Sequence, residues 1–183
     1  MKKQNSQAKR GFSPRLIAIC AMLAAMSIVC GKFLAIPFGD VIRISFENLP
    51  ILLASLMFGP VAGGVTAVAA DIFGCFLRGY ALNPIITLGA LAIGVISGII
   101  FKLMKKSGTP LKATVGVLVS HVIGSVIIKT FGLAAFYSMP FYTLLLWRGL
   151  NYLIVAALDL TAIMIITKNK YVAAIINEAQ SLK

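Results

Sequence analysis

From Asn48 to Ala70 the sequence runs on without one charged residue, and apolar stretches of similar length recur along the chain. A run of about 20 apolar residues is what an α-helix needs to cross the hydrocarbon core of a bilayer. Several such runs within 183 residues leave no room for a soluble domain. Charged residues make up 12% of the chain and hydrophobic ones 60%, whereas an ordinary soluble domain is about a quarter charged. The same composition excludes a disordered chain and a disulfide-stapled secreted module. Cys20, Cys30 and Cys75 all lie in apolar segments without CxxC spacing, so they read as packing residues, with no metal or disulfide expected. The fold expected is an all-α membrane protein with six transmembrane helices.

The breaks between helices are written in Pro, Gly and polar residues. Ser13-Pro14 supplies a cap and a first-turn proline, so helix one is expected over 13–35, ended by Ile36-Pro37-Phe38-Gly39-Asp40. This apolar stretch is too long for a signal-peptide core and lacks a cleavage site, so it reads as a retained helix. Residues 40–48 form a short polar connection. Phe58-Gly59-Pro60 divides the next run into helices over 46–58 and 61–77. Helix four is expected over 84–103, helix five over 111–133 and helix six over 142–167. Residues 1–12 are then a basic tail, 13–167 the membrane domain and 168–183 a second tail.

The net charge is +12, from 17 Lys and Arg against 5 Asp and Glu. In a soluble protein this excess would point to nucleic acid; here its location decides otherwise. Most of the cations fall in three clusters: Lys2, Lys3, Lys9, Arg10 and Arg15; Lys102, Lys105, Lys106 and Lys112; Lys168, Lys170 and Lys183. Six spans place all three on one side, and the positive-inside rule makes that side, with both termini, cytoplasmic.

The remaining charges need a reason, because a charge at mid-bilayer costs roughly 2.5–3.5 kcal/mol on insertion scales. Asp71 sits within an apolar helix, and Arg78 follows seven residues on along the same face. The two read either as an internal ion pair or as the polar floor of a ligand pocket. His121, Ser125 and Lys129 form an i, i+4, i+8 stripe on helix five, open to a structural or a ligand-binding reading. Trp147, Arg148 and Asn151 cluster on helix six, where Trp147 and Tyr152 also fit an interfacial belt. Asp159 lies further along and reads as structural. Asn83 and Thr87 make a smaller polar pair on helix four. With Arg43, Arg78, Lys129 and Arg148 set against few acids, an anionic aromatic solute is the natural complement. No phosphate-binding loop, HExxH or GxSxG motif occurs, so no enzymatic activity and no cofactor are expected. Ala21 and Ala25 form an AxxxA step, a flat stripe where another helix can approach.

These landmarks together resemble a known family. RISFENLPILLASLMFGPVAGG (43–64), VAADIFG around Asp71, GYALNPIITLGALAIGVISG (79–98), SHVIGSVIIKTFGL (120–133), LLLWRGLNYL (144–153) and the AxxxA of helix one are similar to the substrate-binding S components of energy-coupling factor transporters, in the folate branch. The resemblance covers nearly the whole chain. It implies six helices in the plasma membrane, a vitamin bound near the outer face under the 36–48 loop, and a membrane scaffold and two ATPases as partners. It places Ala21 and Ala25 against the scaffold and implies that the whole S component topples to carry its ligand inward. For folate, Asp71 and Asn151 would accept from the pterin, Trp147 would stack on the aminobenzoyl ring, and Arg43, Lys129 or Arg148 would hold the carboxylates. The alternatives are another vitamin or precursor, such as pantothenate or a queuosine precursor, an integral-membrane enzyme, and a membrane assembly protein without a small-molecule ligand.

Overall fold

The computed structural model describes residues 13–38, 42–170, 172, 174 and 176. Both tails therefore lie largely outside the described residues. The first helix, α1 (Pro14–Lys32), starts where Ser13 Oγ accepts the Leu16 amide at 3.3 Å, with Pro14 in its first turn. It ends short of the expected position because the chain turns into a small antiparallel hairpin. Strand β1 (Ile36–Phe38) pairs with β2 (Ile42–Ile44), Ile36 facing Ile44 and Pro37 facing Arg43. A two-stranded ribbon leaves every strand an edge, so Pro37 with its missing N–H is tolerated. The polar connection expected here is thus partly a hairpin.

The expected break of the long apolar run is present. Helix α2 (Asn48–Phe58) stops at Gly59, whose φ of 81° suits glycine, and α3 (Pro60–Arg78) restarts on Pro60. Helix α4 (Pro84–Leu103) matches its sequence bounds and is capped by Asn83, whose Oδ1 accepts from the amides of Ile85 at 3.0 Å and Ile86 at 3.4 Å. The fifth rod is longer than expected and not uniform. It joins α5 (Thr109–Ser120), a π-helical stretch (His121–Ile128) and α6 (Lys129–Tyr137). Helix α7 (Phe141–Lys168) completes the bundle.

Five of these rods are long and apolar enough to cross a membrane, and α2, with 11 residues, is the sixth and shorter element. The six-helix bundle expected from the sequence is therefore present. Leu52, Ile93, Val117 and Ile163 are fully buried where α2, α4, α5 and α7 meet. Exposed Met22, Val65, Leu146, Leu150 and Leu153 give the outside an apolar surface suited to lipid. The rods alternate in direction. Arg15 at the start of α1, the Lys102–Lys112 turn between α4 and α5, and Lys168 at the end of α7 consequently share one end of the bundle. The hairpin occupies the other.

Candidate functional site

At the hairpin end, six helices line one cavity of about 190 Å³, and five of them bring polar side chains to it. Helix α1 contributes Ser27, the turn after β2 gives Ser45 and Glu47, and α2 opens with Asn48. Ala70 and Asp71 come from α3, Ile86 and Ala90 from α4, Lys129 and Leu133 from α6. Arg148, Asn151, Tyr152 and Val155 come from the first half of α7. Every contribution lies on the part of its helix remote from the basic turns.

The charged groups of this cavity come from four elements, α3, α6, α7 and the turn before α2. On the α3–α4 side, Thr87 Oγ1 donates to Asp71 Oδ2 at 2.6 Å, which leaves the other carboxylate oxygen for a ligand. On the α6–α7 side stand Lys129 and Arg148. Arg148 Nε donates to Thr130 Oγ1 at 3.1 Å, and its terminal nitrogen donates to the Ser125 carbonyl at 3.3 Å and the Tyr152 hydroxyl at 3.4 Å. Its guanidinium carbon also lies 5.2 Å from the Tyr152 ring centroid. These contacts fix one cation between α7 and the fifth rod. Lys129 is 7% exposed and reaches Glu47 Oε1 at 3.8 Å across the mouth. It is seated there by a close helix approach: a Cβ on Gly89 would meet Lys129 Cγ at 2.5 Å and the Gly124 carbonyl at 2.8 Å, so only glycine admits the lysine stem. The Glu47 turn is held from α1, where Ser27 Oγ donates to the Glu47 carbonyl at 2.6 Å.

Of the residues singled out in the sequence, Asp71, Lys129, Arg148 and Asn151 meet in this cavity. Four others do not line it. Arg78 is exposed at the end of α3, its guanidinium carbon 5.8 Å from the Phe33 ring centroid, so it serves neither as partner to Asp71 nor as pocket floor. Asn83 is consumed by capping α4 and by donating to the Gly132 carbonyl at 3.0 Å. His121 lies deeper: its Nε2 donates to Asp159 Oδ2 at 3.0 Å, and its ring sits 5.8 Å from that of Tyr152. It supports a wall of the cavity and does not form one. Trp147 is 48% exposed on the outer face of α7, beside Leu146 and Leu150. It does not line the cavity, and the interfacial-belt reading fits its exposure. The side chain of Arg43 lies outside the described residues. Ala21 and Ala25 are exposed on α1, as a contact surface requires.

Sequence reasoning missed Glu47 and Asn48, which open α2, and Ser27 and Ser45, which reach the cavity from α1 and the hairpin. Glu47 changes the electrostatics, because its carboxylate offsets one of the two lining cations. The chamber is lined by two acids and two cations and is not uniformly cationic. Trp147→Phe is expected to leave ligand affinity within about twofold of wild type. A binding titration of that variant checks its outward placement.

A bundle of apolar helices with a polar, charged cavity at one end is an architecture suited to binding a solute within a membrane. Residues 15–176 match the family described as ECF transporter, substrate-specific component, and the chain belongs to that family. It is an integral membrane protein. Folate transporter FolT of Clostridium novyi (strain NT) is 33% identical over 100 residues, a match covering 54% of this chain and 57% of that one. The chain thus spans a little over half the length of that curated relative. Among solved structures, FolT bound with folic acid superposes with a TM-score of 0.67 at 23% identity, covering 83% of this chain and 92% of that one. ThiT from Listeria monocytogenes gives a TM-score of 0.69 at 19% identity, covering 85% of this chain and 94% of that one. An S component for biotin gives 0.61 at 18% identity, covering 85% and 92%. These likenesses establish the fold.

Proposed function

We propose that this chain captures folate from outside the cell and passes it inward without chemical change. The carrying observation is that two carboxylates, Asp71 and Glu47, and two cations, Lys129 and Arg148, line one cavity. Folate complements both kinds of group. Its pterin presents N–H donors that a carboxylate accepts, and its glutamate bears two carboxylates suited to cations. The 33% identical folate transporter supports the same reading. The basic turns at the opposite end of the bundle orient the cavity outward by the positive-inside rule.

The Glu47–Lys129 contact fits a capture step. At about 190 Å³ the cavity lies below the roughly 300–1,000 Å³ that enclose a drug-sized ligand. A ligand carboxylate that takes Lys129 from Glu47 breaks one contact across the mouth, while Ser27 keeps the turn between β2 and α2 in place. Loss of the ligand restores the 3.8 Å contact and narrows the mouth.

Movement across the membrane is assigned to partners, a membrane scaffold and two ATPases, since the sequence has no nucleotide-binding loop. An apolar groove of about 300 Å³ between α1 and α3 runs beside Ala21 and offers the scaffold a flat approach. Ala21→Leu with Ala25→Leu is expected to spare folate binding by the isolated chain while abolishing folate uptake by the assembled transporter. Binding lost together with uptake would place these alanines in internal packing.

The vitamin is tested by competition. Purified chain loaded with radiolabelled folate is challenged with excess folate, thiamine, biotin or pantothenate. Displacement by folate alone supports the assignment, and displacement by one of the others reassigns the substrate.

A further inference from the structure

We propose that Asn48 reads the ring end of the ligand, pairing its carboxamide with a planar edge that presents an N–H donor beside a carbonyl or imine acceptor. This inference rests on the reading of folate as the ligand and assigns one side chain to one end of it. Asn48 is 1% exposed, lines the cavity, and has no hydrogen-bond partner on either Oδ1 or Nδ2 among the described residues. A buried amide with neither atom satisfied destabilises the protein that holds it. Local structure does not account for it. Asn48 opens α2, yet no side chain caps that helix. A leucine, with the same branching and number of heavy atoms, would take the same place without that penalty.

The amide is nonetheless held ready. Directly before it, the Glu47 carbonyl is fixed by Ser27 Oγ at 2.6 Å. Directly after it, Pro50, Ile51 and Leu52 are buried in the core. A buried polar group held in place at a cavity wall, without a partner among the described residues, is a preorganised recognition element.

The chemistry of the amide selects its partner. A carboxamide offers one acceptor and one donor side by side in a plane. It pairs bidentately with ring edges that alternate donor and acceptor, as Asn does with adenine in nucleic-acid recognition. A pterin carries such an edge. A carboxylate only accepts, so it would satisfy Nδ2 and set its charge against Oδ1. Asn48 therefore belongs to the ring end, and Lys129 and Arg148 to the carboxylate end.

The test measures the affinity of folate and of pteroate, which lacks the glutamate, for wild type, Asn48→Ala and Asn48→Leu, with melting curves of the unliganded proteins. Both ligands are expected to lose affinity by the same factor, about 10- to 100-fold, in both variants. Unliganded Asn48→Leu is expected to melt at or above the wild-type temperature. Affinity within twofold of wild type for both ligands, or a loss confined to folate, overturns the assignment. A marked fall in the melting temperature of unliganded Asn48→Leu overturns it as well, since the amide would then be structural. Wild-type protein that binds neither ligand removes the folate reading and this inference together, an outcome distinct from failure in the variants alone.

Discussion

Replacing His121 by alanine is expected to destabilise the unliganded protein by about 1–3 kcal/mol or more, the cost of leaving a buried carboxyl without its hydrogen-bond partner. Asp159 is 0% exposed, and the only hydrogen bond among the described residues to its carboxylate comes from His121 Nε2. Without the imidazole, Oδ2 joins Oδ1 as an unsatisfied atom in the middle of the bundle. The loss also reaches the binding site, because the His121 ring backs Tyr152, and the Tyr152 hydroxyl holds Arg148. The expected result is a large drop in melting temperature in detergent. Adding Asp159→Leu to His121→Ala is expected to restore most of it, since the stranded carboxylate is then gone. A His121→Ala protein that melts like wild type would show that the pair carries no such load.

The second large effect is on affinity. Arg148→Met is expected to weaken folate binding by roughly 10- to 150-fold, the range of one lost charge-assisted hydrogen bond. Methionine keeps the aliphatic bulk and removes both the ligand-facing cation and the contacts to Thr130 and the Ser125 carbonyl. Arg148→Lys separates those roles. It restores charge without the planar fork, so it is expected to recover only part of the affinity. Pteroate, which lacks the glutamate, is expected to be affected far less than folate by either change. Equal losses for both ligands would move Arg148 away from the carboxylates.

Much of the bundle could be read from the sequence because its punctuation is strong. Asn83-Pro84 starts α4 and Phe58-Gly59-Pro60 separates α2 from α3, as local chemistry requires. The hairpin escaped notice because three-residue strands are too short to show alternation, and the charges of Asp40 and Arg43 made the segment look like a loop. Residues 39–41 at its tip lie outside the described residues. The π-helical stretch leaves no mark on an apolar pattern. Its wider turn breaks the His121, Ser125, Lys129 stripe, so His121 meets Asp159 while Lys129 meets Glu47.

The site was legible where charge alone was informative. Asp71, Lys129 and Arg148 stood out because bilayers exclude charge without cause. Direction around a helix was harder to read. Trp147 and Arg148 are sequence neighbours, yet successive helical residues point about 100° apart, so one faces outward while the other faces the cavity. Asn48 was hidden by its setting at the head of an uncharged run, where a single amide gives no periodic signal.

A structure of the purified chain with folate bound tests the account most directly. The pterin is predicted to lie between Asp71 and Asn48, with the glutamate carboxylates on Lys129 and Arg148 and Glu47 drawn away from Lys129. Folate seated outside the space between α3, α6 and α7, or lying in it with its carboxylates toward Asp71, would contradict the account.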